Sequence, residues 1–250
     1  MFLSNRFYPV LAITIFSFAA LQARAQSADQ TQTPQAQTEQ TAPQSTPQER
    51  AQVLQQAQER VHARRKLREQ QVIQDTYSHK YEAYFGGNYL RMSPGKDLQH
   101  INEAGWHAGI TDYAFGKIGV TADVRGYYGT AYTGRNQYGV YEPAISQYTF
   151  MAGPTVRFFE GMHWGWTARV LAGVGHGNFD TGTGGLPGNL IGLYDNGNSL
   201  NLSASASVDY NLSPGLALRL TPSYLMTRYS SSTQNNLGWE GSVVYRWGRQ

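Results

Sequence analysis

From about Lys80 to the end, the chain repeats with a period of two residues, and this constrains the fold more than any other feature. Between Ile118 and Tyr128, the residues Ile118, Val120, Ala122, Val124, Gly126 and Tyr128 alternate with Gly119, Thr121, Asp123, Arg125 and Tyr127. Successive side chains on an extended strand point to opposite faces, so one face here is apolar and the other polar. The same division recurs where Leu200, Leu202, Ala204, Ala206, Val208 and Tyr210 oppose Asn201, Ser203, Ser205, Ser207, Asp209 and Asn211. It recurs again where Leu237, Trp239, Gly241, Val243, Tyr245 and Trp247 oppose Gly238, Glu240, Ser242, Val244 and Arg246.

Eight such segments are expected, over residues 80–91, 103–114, 117–128, 146–158, 163–175, 199–212, 215–228 and 236–247. Each is near the length a tilted strand needs to cross a bilayer, about 9 to 11 residues. Their connections alternate: tight after the second, fourth and sixth strands, long after the first, third and fifth, notably Gly129 to Ile145 and His176 to Asn198. Short periplasmic turns opposite long external loops, with an even strand count, describe an outer-membrane barrel with both termini in the periplasm. The fold class read from this is all-β: an eight-stranded antiparallel up-and-down transmembrane β-barrel over residues 77–250, preceded by a disordered stretch and one polar α-helix.

A soluble, lipocalin-like barrel would turn the apolar face inward, and two features disfavour it. Aromatics on the apolar face cluster near strand ends. Tyr81, Phe158, Trp164, Trp166, Tyr210, Tyr245 and Trp247 fall toward one rim, and Tyr89, Trp106, Tyr128, Tyr148 and Trp239 toward the other, as two membrane-interface girdles would. The polar face carries Glu82, Asp123, Arg125, Arg157, Arg169, Asp209, Arg219, Glu240 and Arg246, both signs in near balance. Buried charges persist only when paired, so this set is expected to form a network that closes the lumen. Asp112 falls on the apolar parity, and Pro154 and Pro222 interrupt strands; a bulge or register break is expected at each.

Ahead of the barrel, Arg6, an apolar stretch from Val10 to Leu21, and Ala23 and Ala25 read as a signal peptide over residues 1–25, cleaved before Gln26. Residues 26–45 are Gln-, Thr- and Pro-rich and are expected to be a disordered linker. Thr46, Pro47 and Glu49 then fit the cap, first and third positions of a polar periplasmic helix over residues 46–75. Its sparse Leu54, Val61, Leu67 and Val72, beside Arg60, Arg64, Arg65, Lys66 and Arg68, suit a solvated spacer, a coiled-coil stalk or a contact with an anionic periplasmic partner. The chain has no cysteine, which excludes disulfides and thiolate chemistry. Of 20 basic and 17 acidic residues, Arg6 and Arg24 leave with the signal peptide, so charge argues for no nucleic-acid partner.

Over roughly Tyr77 to Trp247 the chain resembles the small eight-stranded outer-membrane barrels, the OmpA/OmpX-type and opacity-protein superfamily. Val243, Tyr245 and Trp247, at alternate positions of the last strand, are similar to that family's C-terminal assembly signal, although Gly248, Arg249 and Gln250 follow here. The resemblance implies export with periplasmic chaperones, insertion by the barrel assembly machinery, and residence among outer-membrane lipid in a Gram-negative-type bacterium. Envelope integrity, adhesion and narrow solute passage are the roles it implies.

Catalytic chemistry finds little support. Of the histidines His62, His79, His100, His107, His163 and His176, only His107 lies well inside a strand facing the lumen, and no serine and carboxylate converge on it by spacing. The third external loop, Gly175 to Asn198, has no phosphate-cradling Gly-Lys-Ser/Thr, and Asp195 to Asn198 lacks a complete calcium ligand set; it reads as a mobile surface loop. Tyr128, Tyr132, Tyr138 and Tyr141 with Arg135 suit a contact surface for an external ligand. The expectation is a structural or surface-interaction barrel, non-enzymatic, with no catalytic, cofactor-binding or metal site. The alternatives are a narrow porin-like channel and a barrel-borne enzyme acting on lipid or peptide.

Overall fold

The computed structural model describes residues 46–229 and 232–249. The signal peptide and linker expected at 1–25 and 26–45 lie outside the described residues. Helix α1 (Pro47–Tyr77) opens at a proline whose fixed φ suits a first helical turn, with Glu49 in that turn. It runs past residue 75 to Tyr77, where the Thr76 hydroxyl donates to Val72 O at 2.7 Å. Val53, Leu54, Val61 and Leu67 are exposed along it.

Eight strands follow: β1 (His79–Met92), β2 (Ile101–Phe115), β3 (Ile118–Thr130), β4 (Ala144–Glu160), β5 (Trp164–Thr181), β6 (Gly197–Ser213), β7 (Leu216–Tyr229) and β8 (Ser232–Arg249). Each pairs antiparallel with its neighbours in sequence, and β1 returns to pair with β8 from His79↔Arg249 to Arg91↔Leu237, closing the barrel. Closure gives the backbone groups of the barrel wall partners and removes the open edges of a flat sheet. The turns at 116–117, 161–163 and 214–215 define one end of the barrel, the turn end; at the first of them Gly116 adopts φ 65°. The connections 93–100, 131–143 and 182–196 define the other, the loop end.

Most strands outrun their expected limits, β5 and β8 most of all, and β5 and β6 stay paired through His176↔Asn198 to Gly177↔Gly197. The surface loop expected from Gly175 to Asn198 therefore shortens to 182–196. There the outward parity turns polar, with His176, Asn178 and Asp180, and the inward one carries Gly175 and Gly177, so the apolar-outward pattern ends before the ladder does. Asp112 does precede a register shift, between Asp112 and Phe115. Pro154 and Pro222 do not break register: they pair with Val120 and Trp239, while the ladder toward their other neighbours skips a few residues and resumes in phase. A proline removes a donor from one side of its strand only, and the intact side holds the alignment.

The interior has two storeys. Toward the loop end it is apolar, built from Leu90, Met92, Tyr127, Leu171, Leu225 and Tyr229 on the strands and Ile191 and Leu193 from the third loop. Toward the turn end it is ionic. The purely polar lumen read from the alternation thus holds for only part of the barrel.

Glycine makes room for the inward aromatics. A Cβ on Gly109 would lie 2.3 Å from the Tyr84 hydroxyl and 2.8 Å from Ala122 O, whereas one on Gly241 would meet nothing. Gly109→Ala is expected to cost about 1–3 kcal/mol, the usual cost of overpacking. Gly241→Ala should leave stability within about 0.5 kcal/mol. Urea unfolding of the refolded protein in detergent, followed by tryptophan fluorescence, reads both, and equal midpoints for the two variants would contradict the packing described.

Candidate functional site

The nine charged side chains expected on the inward face are at most 3% exposed. Near the turn end, Glu82 of β1 accepts a hydrogen bond from Arg246 of β8 at 3.1 Å and pairs ionically with Arg219 of β7 at 2.6 Å and Arg157 of β4 at 3.6 Å. Asp209 of β6 binds Arg219 at 2.6 Å and Arg246 at 2.7 Å. Higher in the lumen, Arg125 of β3 bridges Asp123 at 2.5 Å and Glu240 at 2.6 Å, and Arg169 of β5 lies 3.5 Å from Glu240.

Tyr84 joins the two groups. Its hydroxyl donates to Asp123 Oδ2 at 2.5 Å, and the Arg169 and Arg219 guanidiniums lie 4.9 and 5.6 Å from its ring centre. Beside this network, the hydroxyls of Thr111, Thr121 and Thr155 link β2, β3 and β4 at 2.7 and 2.5 Å. Charges withdrawn from water at this depth cost several kcal/mol each unless paired. Pairing across the lumen supplies that compensation and fills the space with cross-links.

A second closure sits at the turn end, around Tyr77, which sequence reasoning placed at the start of the barrel without a role. The Tyr77 hydroxyl donates to Gly161 O at 3.2 Å or Trp164 O at 3.3 Å and accepts from the Asn211 amide at 3.1 Å. Arg157 donates to Tyr77 O at 3.4 Å, and Arg157 and Arg246 face the ring at 5.6 and 5.7 Å. Burial pushes the Tyr77 hydroxyl above its ordinary pKa, against the opposing pull of the Asn211 hydrogen bond and the Arg246 charge. Gly165 leaves the room, since a Cβ there would lie 2.5 Å from that hydroxyl.

The third closure is the apolar storey. Here Glu103 is fully buried and takes both carboxylate hydrogen bonds, at 2.9 and 3.1 Å, from the Gln147 amide. Gln147 also contacts Met92 Sδ and accepts from the Tyr229 hydroxyl at 2.9 Å. The inward parity of Leu90, Met92, Leu171 and Leu225 was the available sequence signal for this plug. Nothing local in the sequence marked Tyr77 or Tyr84.

On the outward face, aromatics gather in two bands. Tyr81 and Trp247 lie 5.9 Å apart, Tyr245 and Trp247 5.7 Å, Trp164 and Tyr210 5.0 Å, and Phe158 and Trp166 6.0 Å, all near the turn end. Toward the loop end, Tyr128 packs on Tyr148 at 5.8 Å, Trp106 Nε1 donates to the Tyr128 hydroxyl at 3.4 Å, and Tyr89 pairs across the seam with Trp239. Val243, Tyr245 and Trp247 alternate on the outer side of β8, and the ladder continues beyond them to Arg249.

His107 is buried with neither ring nitrogen hydrogen-bonded; Nε2 lies 4.0 Å from Glu240, and the ring lies 5.7 Å from that of Tyr84. That arrangement gives it no nucleophile to activate. In the second loop Asn136 folds the backbone, accepting from Tyr138 N at 3.0 Å and donating to Val140 O at 2.5 Å, with Tyr132, Tyr138 and Tyr141 exposed around it. In the third loop Asn196 accepts from Phe179 N at 2.6 Å, so its side chain holds the loop. Among the described residues, no group of three or more metal-ligating side chains is placed to hold an ion.

Removing Glu82 would leave Arg219 and Arg246 with Asp209 alone and take from Arg157 the carboxylate it pairs with. Glu82→Ala is expected to cost about 3–5 kcal/mol, and Arg246→Ala should cost clearly less in that background than alone. Urea unfolding of the four proteins of this cycle checks both; additive losses would mean that the two side chains do not act as a pair.

No family model and no curated protein matches the chain. Among solved structures it is similar to the neisserial surface protein A, at 10% identity and a TM-score of 0.51, covering 67% of this chain and 97% of that one. The attachment invasion locus protein Ail of Yersinia pestis matches at 17% identity and a TM-score of 0.45, over 68% of this chain and 99% of that one. The outer membrane protein OprG of Pseudomonas aeruginosa matches at 11% identity and a TM-score of 0.46, over 69% and 98%. The body of this chain has the fold of the small eight-stranded outer-membrane barrels.

Proposed function

We propose that the chain is an outer-membrane protein with a structural or surface-interaction role, non-enzymatic and non-conducting, its helical arm in the periplasm and its loops outside the cell. One observation carries this reading: the polarity of the barrel is that of a membrane protein, with aliphatic and aromatic side chains outward and the ionic groups enclosed. From Tyr81 to Tyr89, β1 advances about 26 Å at roughly 3.3 Å per residue. Tilted by about 40°, that separates the two aromatic bands by roughly 20 Å, close to the apolar band of such barrels.

The role follows from how the lumen is filled. A solute would have to displace the apolar plug, part the ion pairs and dislodge Tyr77 in turn. The loop end instead offers the exposed tyrosines of 131–143 on a turn held by Asn136, a surface suited to contacts with a partner outside the cell. Residues 1–25 as a signal peptide, 26–45 as a linker, and passage through periplasmic chaperones and the barrel assembly machinery, addressed by Val243, Tyr245 and Trp247, belong to the same proposal.

Spin labels at Val124 and Leu202 of protein refolded in bilayers are expected to relax with lipid-dissolved oxygen and to ignore aqueous relaxation agents; the reverse would end the membrane reading. In planar bilayers the protein is expected to give no single-step openings at neutral pH. Regular steps would replace the sealed barrel with a narrow channel.

A further inference from the structure

At the loop end β8 outruns its partner. Pairing with β1 stops at Arg91↔Leu237, while β8 continues back to Ser232 paired with β7 alone. The β1-side edge of residues 232–236 thus has no strand beside it, and no backbone hydrogen bond to the loop 93–100 covers it among the described residues. A pocket of about 500 Å³ lies against this stretch, walled by Ser93, Lys96 and His100 of the first loop and by Tyr194 of the third. The wall is fixed: Tyr194 N donates to Pro94 O at 3.0 Å, and Gly95 packs so close to Gly192 that a Cβ would lie 1.9 Å from its carbonyl oxygen.

Asn236 carries the argument. It is 1% exposed, its amide donates to Thr227 Oγ1 at 3.2 Å, and its carbonyl oxygen, on a residue that lines the pocket, has no hydrogen-bond partner. A buried acceptor left unpaired costs about 1–3 kcal/mol, which a ligand hydroxyl would recover. Thr233, Asn235 and the strand edge add donors and acceptors, Tyr194 offers an aromatic ring, and Lys96 supplies a cation with no carboxylate in the lining.

From this we infer that the pocket binds an anionic saccharide: several hydroxyls for the amides and the strand edge, a ring face for Tyr194, and a carboxylate or phosphate for Lys96. A peptide strand is the poorer fit, because five edge residues give it few backbone bonds and it leaves Asn236 without a hydroxyl donor. The inference deepens the surface-interaction reading and rests on the loop end being accessible.

The test uses the full chain refolded in lauryldimethylamine oxide micelles, where binding does not depend on where the barrel resides in the cell. Calorimetric titration with trigalacturonate is expected to show saturable binding, with maltotriose, inorganic phosphate and tetraglutamate at least about tenfold weaker. Lys96→Ala and Asn236→Asp should each weaken trigalacturonate by about tenfold or more, roughly one charged hydrogen bond, and Arg135→Ala in the second loop should not. Lys96 is exposed, so its variant keeps the test readable if Asn236→Asp fails to refold. Absence of binding, tetraglutamate binding as well as trigalacturonate, or affinities unmoved by both variants would overturn the assignment. Repeating the titration in phosphatidylcholine nanodiscs with and without lipopolysaccharide separates the sources. Competition by lipopolysaccharide identifies sugars of the same leaflet as the ligand, and unchanged affinity identifies a free saccharide.

Discussion

A charge taken out of water has to meet its opposite, and the whole barrel is organised around that requirement. Glu82, Arg157, Asp209, Arg219 and Arg246 come from five different strands, and Asp123, Arg125, Arg169 and Glu240 from three, yet every one lies within ion-pair distance of a partner. No single hairpin can satisfy Glu82, whose three cations belong to β4, β7 and β8. The full pairing of Glu82 exists only in the closed cylinder, so the same residues that would penalise a collapsed or open sheet stabilise the complete one.

The architecture was legible because a period of two is a strong signal wherever the two faces differ in chemistry. Strand number, antiparallel order and the alternation of turns with loops followed from it, and the nine charges of the lumen network stood on one parity. The signal failed where the contrast disappears. Around Gly175 and Gly177 the outward residues, His176 and Asn178, are polar rather than apolar, so a continuing ladder looked like a loop. Leu90, Met92, Leu171 and Leu225 failed differently: they share the parity of the charges but lie higher in the lumen, and parity reports a face without reporting height. Tyr77 was missed because its partners Asn211 and Gly161 lie about 130 and 80 positions away, and a contact of that range has no local pattern.

Glycine and the aromatic side chains explain how a narrow interior holds so much. An eight-stranded cylinder has room for side chains and little else. Tyr84 reaches Asp123 over the bare backbone of Gly109, Tyr77 sits over Gly165, and Phe179 and Tyr229 lie against Gly177. The abundance of glycine is therefore steric in origin at these sites. Each absent Cβ is the space into which a ring has moved, and each ring then carries a polar end or an apolar face to a place that no strand residue reaches directly.

The seam between β1 and β8 ties these constraints to the way the fold is completed. Glu82 and Arg246 stand opposite each other there, 164 positions apart in sequence, and their ion pair forms as the cylinder shuts. Before that, the carboxylate and its cations remain hydrated, and the loop-closure entropy of the entire body has yet to be repaid. Closure releases several rewards together: the last ladder, the Glu82 cluster and, through Arg157 and Arg246, the seat for Tyr77. Helix α1 makes its full set of end contacts only on a finished barrel, because the Arg157 and Arg246 guanidiniums that face its terminal ring both pair with Glu82 across the lumen and the seam. The helix end thus reports completion of the seam, and sealing of the turn end follows from closing the sheet.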